Sequence, residues 1–580
     1  MTLLRNAIAE FVIDVLEKKF SFVGLTKQAL LEVLEVPKKL EHGHLAFPVF
    51  QLSKALRKAP PQIAQELASA MTAAKDQVSS IQIASVIHAG GYVNITLGNL
   101  WLQNHLASQI SQSGTKIGHS NVGQNRVVVI DYGSPNVAKP MHIGHLRAIV
   151  IGQAIRNLAA TQGFSVIGLN HLGDWGVQFG KLAWAYQQWA SEYDFANKPF
   201  ESLYQMYVRF HEEAEKNPEL ESKGSLAFRD LEKGDSKIQK LWRHFVDISL
   251  AEYDRLWSLM GVKHDLVRGE SFYNDRLKSV EDLLSEKGLL IESEGAMVVP
   301  LGDEMPPCLI RKSDGASLYA TRDIASAMYR HDELKADICL YVVGADQTLH
   351  FRQVFKVLEM MGFAWAKDLH HIGFGMYRFK EGKMSTRKGR TVFFEDVVTQ
   401  AVDNVEKLIA EKNPNLENRR RVAEQVGVGA IIFNDLAVDR SRDVEFDWDK
   451  VLSFEGDSGP YVQYSYVRCA SLVRKFNKSF PIDQPLKFLS ELESPEEREL
   501  IRVILGYEDI LSAAFKTFKP SLLAHYSLEL CAAFSRFYSK HRILGEALNI
   551  EASRMVLVEI ARRVLSSALE TMNIERPEAM

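Results

Sequence analysis

Two histidines with two residues between them, His142 and His145 in the run MHIGHLRA, are the first place where residue type and spacing suggest chemistry. At positions i and i+3 they share one helix face. The apolar run RVVVID precedes them, so they sit where a buried strand gives way to a helix. Backbone N–H groups at such an end are unsatisfied and, with the helix dipole, attract phosphate. Gly144 leaves room for a flat purine against the backbone. Two ligands with no third do not make a zinc site, so a nucleotide site is the better reading.

A second set of groups is cationic. Lys383, Arg387 and Lys388 crowd the segment KMSTRKG at 383–389. Alone it reads as a solvated basic turn. Beside a nucleotide it becomes a loop whose cations can close over phosphates as charge spreads in a transition state. A third set could select a substrate. Tyr319 and Asp323, four apart in LYATRDIA, can face one pocket at a helix start. A carboxylate accepts a guanidinium bidentately and a phenol adds orientation. An exposed first-turn acid beside a half-buried tyrosine is the plainer alternative. His171, Gly173, Asp174 and Trp175 follow a second strand, at the carboxyl edge where α/β sheets hold ligands; a tight turn with a packed tryptophan is the alternative there. His42 and His44 form an HxH without a third ligand, and a metal reading is declined.

The elements that must position these groups are legible. RVVVID, a helix from Met141 to about Thr161 stopped by Gly163, and FSVIGLN make a βαβ unit of a doubly wound fold. The pattern returns at ICLYVVGA (338–345), a helix from about Thr348 to Met361, and HHIGFGMYRF. After about Phe394 only helical periods remain. The expected domains are 1–118, small and α+β; 119–394, α/β with a helical insertion at about 181–260; 395–454, connecting helices; and 455–580, all helical.

Composition bounds the rest. The 580 residues are 46% hydrophobic and 24% charged, with a net charge of −4, which excludes a disordered chain and a polybasic binder. Cys308, Cys339, Cys469 and Cys531 form no CxxC, which argues against a zinc ribbon or dithiol site and for a reducing compartment. Glu10, Asp14 and Glu17 argue against an N-terminal presequence, and no run resembles a membrane span. A cytoplasmic protein is expected.

SPNVAKPMHIGHLRA resembles the HIGH signature of class I aminoacyl-tRNA synthetases, and SPN-x-AKP is similar to its arginyl version. NHLGDWG, LYATRDIA, VVGADQTLHF and KMSTRKG continue the likeness in the family's order. HGHLAFPVFQLSKALRKAP and HAGGYVNITL resemble its appended N-terminal domain, and the block from GPYVQYSYVR its helical C-terminal domain.

The resemblance implies a multidomain α/β protein: a Rossmann-like doubly wound catalytic domain, an α+β N-terminal domain meeting the tRNA elbow, and an all-helical anticodon-binding domain. It implies ligation of L-arginine to the 3′-terminal adenosine of its tRNA, driven by ATP with Mg2+, with no protein-bound zinc, DNA or membrane and a monomer as default. His142 and His145 would be catalytic. Thr386 stands where the KMSKS-type loop has its second lysine, so the cationic work is divided among Lys139, Lys383 and Lys388. The ATP site would comprise His142, Gly144, His145, Gly173, Asp174, Lys383, Met384 and Ser385. Arginine would be held by Tyr319, Asp323 and Gln347 at the guanidinium, with Glu270 as a further partner, and by Ser134, Asn136 and His145 at the backbone end. The insertion is too short for an editing domain; it would contact the acceptor end or brace the cleft.

Two rivals are weighed. Tyr319, Asp323 and the appended domain argue against a synthetase for glutamate, glutamine or cysteine. Intact His142, Gly144, His145 and Lys383 argue against a silent tRNA-binding scaffold.

Overall fold

A computed structural model of the chain describes residues 2–37, 40–78, 81–113, 116–303, 305–312, 319–379, 392–476 and 492–580. The described residues form two compact units, the larger comprising 120–460, 514–524 and 570–580. Elements are numbered within this larger unit. Its centre is a parallel sheet of β1 (Val127–Tyr132), β2 (Ser165–Asn170), β3 (Leu266–Val267), β4 (Ile338–Val342) and β5 (Leu369–His371), in the order β5-β4-β1-β2-β3. VVVID, SVIGL and ICLYV are short β-branched and apolar runs of the kind that a sheet covered on both faces requires.

From β1 the chain winds to β2 and β3 on one side, then returns with β4 on the other. The loops after β1 and β4 therefore part company, opening a crevice at the sheet's carboxyl edge. Helix α1 (Ile143–Thr161) follows β1 and is buried along most of its length. It lies close to the sheet at Gly152, where a Cβ would run into the Tyr132 ring. It ends at Gly163, whose φ of +79° suits only glycine well. Below the sheet Val129, Leu169, Ile324, Cys339 and Val354 form part of one buried cluster, each fully buried aliphatic contributing about 1.5–3 kcal/mol.

The insertion folds as four helices, α2 (Val177–Trp189), α3 (Pro199–Lys216), α4 (Glu219–Glu232) and α5 (Ser236–Leu259). Ala185, Met206, Phe210, Ala214 and Leu220 give it its own small core. The sheet's later helices are α6 (Tyr319–Asp332) and α7 (Thr348–Met360), and α8 (Phe394–Lys412) and α9 (Arg419–Leu436) pack near α1. Two features depart from the sequence reading. A three-stranded antiparallel sheet runs over Ile291–Ser293, Ala296–Val299 and Cys308–Arg311. Past Phe394, where no strand is expected, Val444–Phe446 pairs in parallel with Tyr377–Phe379. Three residues are too few to display a period, and the pairing is made by distant chain.

The smaller unit comprises residues 1–119, 461–513 and 525–569. Its N-terminal part is the helix Thr2–Phe20 and an antiparallel sheet ordered Leu45–Pro48, Tyr92–Leu97, Ile83–Ala89, against which Pro60–Ala74 packs. Its remainder is helical, including Pro495–Leu505, Ser521–Lys540 and Leu548–Thr571. Asn99 and Gln103 both donate to the Leu492 carbonyl, so the two ends of the chain share this unit. His44 is buried with Nδ1 accepting the Leu97 N–H at 3.0 Å.

Candidate active site

The first turn of α1 is built from its own histidines. His142 is the N-cap: its Nδ1 accepts the Gly144 N–H at 3.1 Å, while Nδ1 of His145 accepts the His142 N–H at 3.1 Å. This is a capping box made with imidazoles, the rings 4.0 Å apart. Burial lowers the pKa of His142; burial, then the neighbouring His142, lowers that of His145 to about 4. Both rings are neutral at pH 7, and since Nδ1 accepts in each, the proton is on Nε2. The site thus presents two imidazole N–H donors.

This revises the expected phosphate cradle. The N–H of Ile143 goes to the Val392 carbonyl at 3.1 Å, that of Gly144 to His142, and that of His145 to the His142 carbonyl at 2.9 Å. The first backbone donors are occupied, and the imidazoles replace them. Gly144 has a different reason too. A Cβ there would come within 2.8 Å of His142 Cε1, so glycine is what lets the capping ring fold back.

The loops after β1 and β2 pair with one another. Val137 N–H donates to the Gly173 carbonyl at 3.1 Å and Gly173 N–H to that of Pro135 at 3.0 Å. A Cβ on Gly173 would collide with Asn136 Oδ1, so the glycine makes room for that amide. Ser134 donates to Asp131 Oδ1 at 3.0 Å and accepts the His171 N–H at 3.2 Å, joining the ends of β1 and β2. The Asp174 carboxylate is turned away from the loop surface. It accepts Ser271 N–H at 2.8 Å and Ser271 Oγ–H at 2.6 Å, fixing the turn that carries Glu270.

Helix α5 of the insertion braces both loops. Trp242 donates Nε1–H to the Asp174 carbonyl at 2.7 Å, and Ser249 accepts the Ala138 N–H at 3.1 Å. Tyr253 lies 2.6 Å from the Asn136 carbonyl and 2.8 Å from that of Lys139 through its hydroxyl. Spaced by seven and four residues, the three lie along one stripe of the helix. Ala138, between them, has a φ of +63°, an uncommon conformation held by this bracing. Lys139 Nζ sits 5.4 Å from the Tyr207 ring centroid, a cation–π contact from α3.

The acidic side of the crevice comes from α6 and the Glu270 turn. Burial raises the Glu270 pKa to about 7; Arg322 opposes the rise, and Asp174 and Asp323 add to it. Asp323 Oδ2 accepts from His350 Nε2 at 2.5 Å. Tyr319 opens α6 and is 64% exposed, and Gln347 is exposed with its amide 3.3 Å from Asp346. Glu270, Asp174 and Asp323 thus share one electrostatic neighbourhood; Tyr319 opens the helix that carries Asp323, and Gln347 caps the helix that carries His350. Lys383, Met384, Ser385 and Lys388 lie outside the described residues.

Sequence reasoning missed several participants. Asp131, at the end of β1, takes a 2.6 Å hydrogen bond from the buried Arg330, whose guanidinium lies 4.6 Å from the Tyr341 centroid. A charge ending an apolar strand was the available signal. Ser249, Tyr253 and His350 carried none. Among the described residues no group of three or more His, Cys, Asp or Glu could hold a metal ion, and no helix is long and apolar enough to cross a membrane.

This arrangement agrees with known proteins along its whole length. The family model for the catalytic domain of class I (R) tRNA synthetases matches residues 105–448, that for the DALR anticodon binding domain 462–580, and that for the arginyl tRNA synthetase N terminal domain 2–97. An arginine–tRNA ligase of Clostridium botulinum (strain Alaska E43 / Type E3) is 43% identical over 561 residues, covering 96% of this chain and 98% of its own. One from Clostridioides difficile (strain 630) is 42% identical over 557 residues, covering 96% and 97%. The Thermus thermophilus arginyl-tRNA synthetase structure matches with a TM-score of 0.81 at 25% identity over 100% of both chains. That of Plasmodium falciparum shares the fold, with a TM-score of 0.82 at 23% identity over 99% and 98%. With these three family models matching along the chain and a relative 43% identical over nearly its whole length, the chain belongs to the arginyl-tRNA synthetase family of class I tRNA synthetases.

Proposed function

We propose that this chain is an arginine–tRNA ligase that activates L-arginine with ATP and transfers it to the 3′-terminal adenosine of its tRNA. The observation that carries the reading is the meeting, at one sheet edge, of a neutral two-imidazole helix cap and an acidic crevice around Asp323 and Glu270. The first suits phosphate and the second a guanidinium.

In the first step an arginine carboxylate oxygen attacks the α-phosphorus of ATP. The P–O bond to pyrophosphate breaks, leaving arginyl-adenylate. The Nε2–H groups of His142 and His145 donate to oxygens on which charge accumulates, and Lys139, Lys383 and Lys388 supply cations. Mg2+ arrives with the nucleotide and is held mainly by phosphate oxygens and water. Asp323 and Glu270 take the guanidinium together with Tyr319 and Gln347, while Ser134, Asn136 and His145 orient the backbone end. Gly173 and Asp174 act as shape and support for the loop beside the nucleotide. In the second step the terminal 2′-hydroxyl attacks the activated carbonyl and AMP leaves.

No protein nucleophile is required, since positioning and electrostatics supply the acceleration. A pocket that must hydrogen-bond a guanidinium leaves buried polar groups unpaired with other amino acids, which gives discrimination of about 10⁴–10⁵ without editing. The helical C-terminal region reads the anticodon and the N-terminal domain meets the tRNA elbow. The enzyme works in the cytoplasm as a monomer.

Amino-acid-dependent ATP–pyrophosphate exchange tests the reading, run with and without tRNA for arginine. Exchange with arginine alone among a panel of amino acids is expected. Exchange with glutamate, glutamine or cysteine would redirect the substrate, and none under either condition, with tRNA binding intact, would leave a tRNA-binding scaffold.

A further inference from the structure

His350 stands in the first turn of α7, three residues after Gln347, and reaches across to α6. Its Nε2 lies 2.5 Å from Asp323 Oδ2, with the imidazole 26% and the carboxylate 18% exposed. An ionised carboxylate only accepts hydrogen bonds, so Nε2 carries the proton. The bond uses one lone pair of Oδ2, and among the described residues nothing else hydrogen-bonds to Oδ1 or to the other Oδ2 lone pair. Among the described residues His350 makes the one hydrogen bond to this carboxylate; Tyr341 lies close enough to feel its charge, but its buried hydroxyl makes no hydrogen bond to it. Cys308 is a buried thiol that also feels the Asp323 charge without hydrogen-bonding to it, and Glu270 is another acid.

The terminal torsion of an aspartate is broad, so a carboxylate without a fixed partner turns freely. A guanidinium is a planar fork and binds best to a carboxylate whose plane is already set. We propose that His350 is a specificity-determining positioning residue, which sets the plane of Asp323 so that its free lone pairs meet the guanidinium fork. This rests on the reading of Asp323 as the guanidinium ligand. An ammonium is a point charge with no plane to match, so loss of the imidazole penalises arginine more than lysine.

The test is steady-state charging of tRNA by the full chain with arginine, ATP and tRNA varied in turn, and with lysine as competitor. His350→Leu removes the donor. His350→Asn keeps a polar side chain too short to reach Asp323, and His350→Gln returns an amide N–H near the Nε2 position. The Leu and Asn variants are expected to raise KM for arginine at least about tenfold, as loss of a hydrogen bond to a charged group does. Their kcat and their KM for ATP should stay within about twofold, competition by lysine should strengthen, and Gln should restore most of the arginine affinity. Parallel shifts of kcat and every KM in all three variants would reduce His350 to a structural residue and overturn the proposal. Unchanged arginine KM in all three, with Asp323→Asn raising it steeply, would overturn it and leave the reading of Asp323 standing. Unchanged arginine KM in Asp323→Asn would remove both.

Discussion

Arg147 in α1 and Asp435 in α9 form an ion pair from which water is excluded, Nε to Oδ2 3.4 Å, both side chains at 0% exposure. The same guanidinium donates to the carbonyls of Arg442 at 2.7 Å and Arg440 at 3.3 Å, and Tyr377 donates its hydroxyl to Asp435 at 2.6 Å. The helix that carries His142 and His145 is thereby tied to Tyr377–Phe379, the strand that precedes the lysine-rich segment. Removing one partner of a buried pair strands the other charge. Asp435→Asn should therefore cost about 3–5 kcal/mol in urea unfolding, and Tyr377→Phe about 1–3. Losses below about 1 kcal/mol in both would mean that the carbonyls alone satisfy Arg147.

The imidazole cap makes a prediction about glycine. A Cβ at Gly144 meets the His142 ring, so Gly144→Ala must push that ring out and free the Gly144 N–H. Loss of one preorganised donor costs about 10²–10³ in rate. Single-turnover formation of arginyl-adenylate should fall by that factor in Gly144→Ala and in His142→Ala alike, with tRNA affinity within a few-fold. A Gly144→Ala enzyme near wild type would mean that His142 does its work outside the cap.

Much of this was legible because the groups that matter sit at fixed offsets from apolar runs. RVVVID before HIGH and ICLYV before VGADQ place both loops on one sheet edge, and Gly163 ends α1 as expected. What was hidden depends on distant chain. Nothing in the sequence near Ser249 or Tyr253 says that they will meet Ala138 and Lys139, more than a hundred residues earlier. VEF at 444–446 is too short to announce a strand. The backbone donors at α1 looked open because a sequence does not reveal that a histidine side chain and Val392 will occupy them.

Tyr253 tests the brace directly. Its hydroxyl is the link between α5 and the carbonyls of Asn136 and Lys139, while its ring is buried and would stay so in phenylalanine. Tyr253→Phe keeps the packing and lets the SPNVAKP loop relax. A small misplacement of a positioning group can cost up to about 10²-fold in rate. The expected result is a kcat for activation lowered about tenfold or more, with a stability loss of only about 1 kcal/mol. A variant with unchanged kcat and the same stability loss would show that the brace serves the fold alone.

Glu270 gives the site a pH dependence whose direction can be worked out. Burial holds its proton up to about pH 7 against an ordinary 4.5. Between those values the folded chain binds the proton and the unfolded chain does not, so stability falls as pH rises through that window. An arriving guanidinium favours the ionised form, and arginine binding below about pH 7 must release this proton. Affinity therefore increases with pH, by up to about tenfold per unit, and levels off above about 7. Calorimetry in two buffers of different ionisation enthalpy should report proton release on arginine binding at about pH 6 and little at about pH 8. Glu270→Gln should bind arginine more weakly and flatten the profile. Wild-type affinity that stayed level from about pH 5.5 to 7.5 would place the guanidinium away from Glu270 and leave Asp323 as its main carboxylate.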